Sequence, residues 1–109
     1  DAALAIARPG ATAADLYTAM DAVLRPDGDG DGGDDVGRYG HGLGIQLTEP
    51  PSHTSWDTTV LSDNMALTLE PSIVYDDGFL MVAEENILIT ESGVELLSKR
   101  APRDLPIIA

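Results

Sequence analysis

One imidazole and two separated carboxylates stand in or beside strand-like runs of this chain. His41 lies within Gly40-His41-Gly42-Leu43-Gly44, Glu70 within Leu69-Glu70-Pro71, and Glu84-Glu85 before Asn86-Ile87-Leu88-Ile89-Thr90. Neutral imidazole and carboxylate are the groups by which a protein holds a divalent ion that activates water, provided that rigid backbone carries them and one coordination position stays open. Glycines 40, 42 and 44 remove side chains that would block a close approach of backbone, substrate or metal to His41. Strand alternation sets Glu70 on the side opposite Met65, Leu67 and Leu69, so it can face a cavity while they fill a core. The simpler account makes His41 a hydrogen-bonded structural histidine and the glutamates edge charges. Joint occurrence of the three motifs favours the metal.

The elements that must position these residues follow from periodicity. Residues 1–7 read as the end of a helix stopped at Pro9-Gly10, where proline disfavours helix before it and glycine accepts a left-handed turn. Thr12 is the N-cap of a second helix, with Asp15 completing a variant capping box. Leu16, Met20, Val23 and Leu24 share one face of that helix, which ends near Pro26. Residues 26–36 are rich in Asp and Gly and form a solvated acidic loop. From Tyr39 the period becomes two, predicting a strand with Leu43, Ile45 and Leu47 on one side, ended by Glu49-Pro50-Pro51. A loop over 52–59 carries the only tryptophan, Trp56. Further strands are predicted at 65–69, 73–75 and 79–90, the last bending at Glu84-Glu85, with a short turn or helix at 94–97 and a tail over 100–109. Two helices followed by antiparallel strands imply an α+β fold.

Composition narrows the function. The chain has 109 residues, 43% of them hydrophobic, which suits one small ordered domain. A formal charge of −13, from 19 acidic and 6 basic side chains, repels phosphate backbones and argues against nucleic-acid binding. No run reaches the roughly 18 apolar residues of a membrane helix. The absence of cysteine removes disulfides and thiolate metal sites and fits a cytoplasmic location. Because the chain opens with Asp1 inside an alanine-rich run, it is expected to be a piece of a longer protein.

Three ordered segments resemble one known family. Gly-His-Gly-Leu-Gly-Ile-Gln-Leu-Thr-Glu-Pro-Pro over 40–51, Met-Ala-Leu-Thr-Leu-Glu-Pro over 65–71 and Glu-Glu-Asn-Ile-Leu-Ile-Thr-Glu-Ser-Gly-Val-Glu-Leu-Leu over 84–97 are similar to the C-terminal motifs of the pita-bread metallopeptidases, which include aminopeptidase P, prolidase, methionine aminopeptidase and creatinase. The resemblance implies the C-terminal half of that fold, helices packed on a curved antiparallel sheet. It also implies two divalent ions, manganese, cobalt, zinc or iron, with His41 and Glu70 as ligands and Glu84 as the glutamate that bridges them. Glu84 takes that place because Ile-Leu-Ile-Thr aligns with the family's Val-Leu-Val-Thr, leaving Glu85 at a non-ligating position. The implied substrate is a short peptide or small molecule, and homodimerisation is expected because members are often dimers.

Departures accompany the matches. The family's upstream aspartate pair has no counterpart before His41, so by the resemblance this stretch holds at most three of the five ligands and is expected to be inert alone. Gly37 and Thr48 stand where the family has substrate-facing histidines, and Val82 where it often has an arginine. These changes weaken the expectation of ordinary Xaa-Pro cleavage. They leave room for relatives of the same fold that act on creatine-type amidines or dimethylsulfoniopropionate.

Three rival motifs are weaker. Asp27-Gly28-Asp29-Gly30-Asp31-Gly32 opens like a calcium-binding EF-hand loop, which would make the chain an acidic calcium module, but Arg38 falls where a bidentate glutamate is required. The Gly40, Gly42, Gly44 spacing lacks the helix of a nucleotide loop. Ser52, His53 and Asp57 hold the residue types of a catalytic triad without a nucleophile elbow, leaving His53 as an ordinary loop residue.

Overall fold

A computed structural model describes residues 1–28, 37–75 and 78–108. Helices α1 (Ala2–Ile6) and α2 (Ala13–Leu24) precede seven strands: β1 (His41–Leu43), β2 (Glu49–Ser52), β3 (Ala66–Leu69), β4 (Ser72–Val74), β5 (Leu80–Val82), β6 (Glu85–Thr90) and β7 (Gly93–Leu96). A five-stranded antiparallel sheet has the order β2-β1-β3-β6-β7, and β4 and β5 form a separate two-stranded ribbon. The expected α+β class is the observed one. Among the described residues no helix is long and apolar enough to cross a membrane.

Helix α2 begins where the sequence predicts. The Thr12 hydroxyl accepts from the Asp15 N–H at 3.1 Å, and the Asp15 carboxylate accepts from the Thr12 N–H at 2.8 Å. These bonds, the Thr12 backbone contact first, hold the Asp15 carboxyl below its usual pKa. The next two amides, Ala13 and Ala14, donate to the carbonyls of Thr59 (3.0 Å) and Asp57 (2.8 Å), so the loop after β2 satisfies amides that helical geometry leaves open.

Leu16 and Met20 of α2 pack with Ala3 and Ala7 against Leu67, Leu69, Ile87 and Ile89 of the sheet. Full burial of such aliphatic side chains contributes roughly 1.5–3 kcal/mol each. Val23, predicted on the same face, is 67% exposed, whereas Leu24 beside it packs against the core. Tyr39 anchors the entry to β1: its ring stacks on Tyr17 at 4.8 Å, and its hydroxyl donates to Asp21 at 3.0 Å while accepting from Arg25 at 2.6 Å. Burial, reinforced by the bond to Asp21, pushes the Tyr39 phenol up to about 12.

Three sequence expectations differ from the structure. The strand predicted from Tyr39 to Thr48 is ladder-paired only over His41–Leu43. Residues 44–48 then turn back, with the Gln46 N–H donating to the Glu49 carboxylate at 2.9 Å, which leaves Ile45 and Leu47 on an exposed tip. Glu49–Ser52, predicted to end a strand and begin a loop, is strand β2 and pairs with β1. Residues 93–96 form strand β7, not a turn or helix, since a hairpin from Thr90 to Gly93 lets them pair the otherwise open edge of β6. The long strand predicted over 79–90 does break, at Ala83 and Glu84, and the tail is tied down where Arg100 pairs with Glu85 and Asp1.

Candidate metal centre

Strand register decides which side chains share a face. Gly42 pairs with Leu67, and Leu67 pairs with Ile87, so His41, Thr68 and Asn86 lie on one face while Leu67, Ile87 and Ile89 turn to the helices. Leu69 pairs with Glu85 before the break, and Ser72 with Val82 after it. The Ala83 N–H donating to the Pro71 carbonyl at 3.1 Å joins the two ladders. Register is unchanged across the break, so the alternation is preserved and Glu70 stands opposite Glu84. Both belong to the face of His41. Glu85 belongs to the opposite face, where its Oε1 accepts from Arg100 at 3.2 Å and its Oε2 is buried without a partner.

His41 is 7% exposed. Its Nδ1 is 2.9 Å from the Gly42 carbonyl, which can only accept, so Nδ1 carries the proton and Nε2 holds the lone pair in the neutral ring. That Nε2 faces Glu70 Oε1 at 3.1 Å. Two lone pairs meet there unless a cation lies between them: a proton on Nε2 or a metal ion. Ligands bound at about 2.1 Å and subtending roughly a right angle sit about 3 Å apart, so the pair suits one shared ion.

The backbone beneath His41 is tightly fixed. Its N–H donates to the Thr68 hydroxyl at 3.0 Å. Gly40 has φ +131°, and a Cβ there would collide with the Thr68 carbonyl oxygen and the His53 ring. A Cβ at Gly42 would strike the Pro50 carbonyl of β2. Both glycines therefore serve close approach of neighbouring chain, as the sequence suggested.

Of the three predicted ligands the structure brings His41 and Glu70 together. Glu84 is exposed on the facing position. Among the described residues no three histidine, aspartate or glutamate side chains gather closely enough to hold an ion. The calcium-loop reading depends on Asp29, Asp31 and their neighbours, which lie outside the described residues, while Asp27 and Gly28 are exposed.

His53, read from the sequence as a loop residue, is fully buried. Its Nε2 lies 2.9 Å from the Thr68 carbonyl, and burial pushes its pKa down to about 4, so the ring is neutral. Asp57 does not orient it as a triad carboxylate would. Its oxygens accept from the Ser52 N–H at 2.8 Å and the Thr59 N–H at 2.9 Å. Partial burial works to raise the Asp57 pKa, but these bonds outweigh it and hold the carboxyl below its usual value. No local pattern in the sequence marks His53 as buried, since it follows Pro-Pro-Ser rather than an apolar run.

A model of metallopeptidase family M24 matches residues 1–91. The chain belongs to that family. Within M24, it is 34% identical over 97 residues to a Xaa-Pro dipeptidase of Pyrococcus furiosus, a match covering 89% of this chain and 27% of that protein. The solved prolidase from Pyrococcus furiosus superposes with a TM-score of 0.81 at 33% identity, covering 93% of this chain and 29% of that one. A Xaa-Pro dipeptidase structure from Bacillus anthracis gives 0.83 at 27% identity, covering 98% and 29%. The α+β sheet of this M24 chain is thus the pita-bread fold of those prolidases, and the chain spans just over a quarter of their length.

Proposed function

We propose that this chain supplies His41, Glu70 and Glu84 to a dinuclear divalent-metal centre in a hydrolase of the Xaa-Pro peptidase type. The observation that carries the reading is the unbroken register that sets Glu70 opposite Glu84 on the face of His41. Like charges directly opposed across antiparallel strands are destabilising, and a shared cation reverses the sign of that interaction. The Nε2 lone pair of His41 aimed at Glu70 fits the same cation.

Manganese, cobalt, zinc or iron held there would lower the pKa of water enough to make it a nucleophile near neutral pH. The chain's own residues supply rigidity. The Gly42 carbonyl fixes the His41 tautomer, and Thr68 fixes its backbone. Family membership supports a peptide substrate, and the relatives' names supply the Xaa-Pro class. The test is metal analysis and Xaa-Pro dipeptide hydrolysis with the protein as its gene encodes it, alongside Glu84→Gln. Unchanged turnover and metal content in that variant would remove Glu84 from the centre.

A second reading, a non-peptidase acting on a small molecule of the creatine or dimethylsulfoniopropionate kind, is favoured by one feature. Val82, opposite Ser72 beside the carboxylates, and the exposed Thr48 offer neither a cation for a substrate carboxylate nor an imidazole for proton transfer. Turnover of such small molecules without dipeptide cleavage would select it.

A further inference from the structure

We propose that His53 is a positioning residue for His41, holding the strand that presents the metal-binding Nε2 through Gly40 and Thr68. The proposal rests on the metal-centre reading above. Four contacts carry it. The His53 N–H donates to the Gly40 carbonyl at 3.0 Å, and the Tyr39 N–H donates to the His53 carbonyl at 2.9 Å. The ring Nε2–H donates to the Thr68 carbonyl at 2.9 Å, on the residue whose hydroxyl accepts the His41 N–H at 3.0 Å. Ring atom Cδ2 occupies the space that any side chain at Gly40 would require.

His53 therefore grips the chain just before His41 and the strand beside it. Its Nδ1 is buried with no partner. An imidazole that leaves one nitrogen unpaired is costlier to bury than an aliphatic group of similar volume, so packing alone does not account for this ring. The Nε2–H bond to Thr68 does. It links two backbones that must keep their spacing for His41 Nε2 to meet Glu70.

The test is Co2+ titration of the metal-free protein as its gene encodes it, with visible absorption of bound Co2+ reporting ligand geometry and thermal unfolding recorded separately. His53→Leu is expected to weaken Co2+ binding about tenfold or more and to shift the absorption bands, while His53→Gln, whose amide reaches the Nε2 position, stays within about threefold. His53→Asn, whose shorter amide falls short of Thr68, should behave like the leucine variant, which keeps the test decisive if His53→Leu does not fold. Equal affinity and spectra in all three variants overturn the proposal, and so does equal loss in all three. His41→Ala separates the two readings. If wild-type Co2+ binding survives that change, the metal centre itself is misplaced. If binding is lost there but untouched by the His53 variants, only the positioning role fails.

Discussion

The two sides of the proposed centre are built differently. His41 sits in a buried layer where β1, β3 and His53 hydrogen-bond one another, and a Cβ at Gly40 has no room. Glu84 projects from a strand break beside the β4-β5 ribbon, whose Val74, Leu80, Met81 and Val82 are all more than 40% exposed. Gly78 in that ribbon has φ +81° and open space around it. The contrast teaches that this chain's own packing fixes His41, whereas the opposed carboxylates of Glu70 and Glu84 would need a cation between them to offset their repulsion if the proposed centre forms.

The most severe way to break that contrast is at the carboxylates. Glu84→Gln should reduce metal content and lower hydrolysis by more than about 100-fold, exceeding the 10- to 100-fold typical of residues that only support a ligand. Glu85→Gln, on the opposite face, should leave metal content unchanged, as plasma emission spectrometry would show. Loss of metal in Glu85→Gln instead would put Glu85, not Glu84, on the face of His41.

The glycines sharpen the comparison in terms of stability. Gly40→Ala combines a positive φ with a collision against backbone and ring, and should cost about 3 kcal/mol in chemical denaturation. Gly78→Ala meets only the backbone strain and should cost about 1 kcal/mol. Similar losses at both positions would mean that the His41 side is no more tightly packed than the ribbon.

His53 adds a pH signature to the packed side. Its pKa falls from 6.5 in the unfolded chain to about 4 in the folded one, so the unfolded state binds more protons between those values. Its contribution is fully present above pH 6.5 and is lost as the pH falls toward 4, an effect on the order of 3 kcal/mol at most. Urea midpoints measured across that window should drop more steeply for the wild type than for His53→Gln. Parallel slopes would show that the ring is not buried neutral. The smallest effect belongs to the ribbon, where Val74→Thr should change stability by about 0.5 kcal/mol or less.

Local chemistry made part of this legible in advance. The Thr12-Asp15 capping box, the α+β order and the placement of Glu70 opposite Leu67 and Leu69 all depend on residues within a few positions of one another, and each appears as read. Alternation misled at Ile45 and Leu47, because a hairpin tip and a continuing strand share the same apolar pattern when no partner strand is visible. It missed β7 for the converse reason: residues 93–96 extend because β6 offers an edge, not because of their own periodicity. Val23 fits the apolar stripe of α2 yet stays exposed, while its neighbour Leu24 packs on the core.

The sequence by itself determined which groups were available to bind a metal and, through the period-two pattern, which face Glu70 would take. Only the tertiary structure decided that His41 Nε2 meets Glu70, that one register runs through the break to oppose Glu84, and that His53 is buried beneath the ligand strand. The physical reason is that side-chain type and alternation are properties of a single strand. Tautomer, register and burial arise only between strands, from hydrogen bonds and exclusions that no one segment contains.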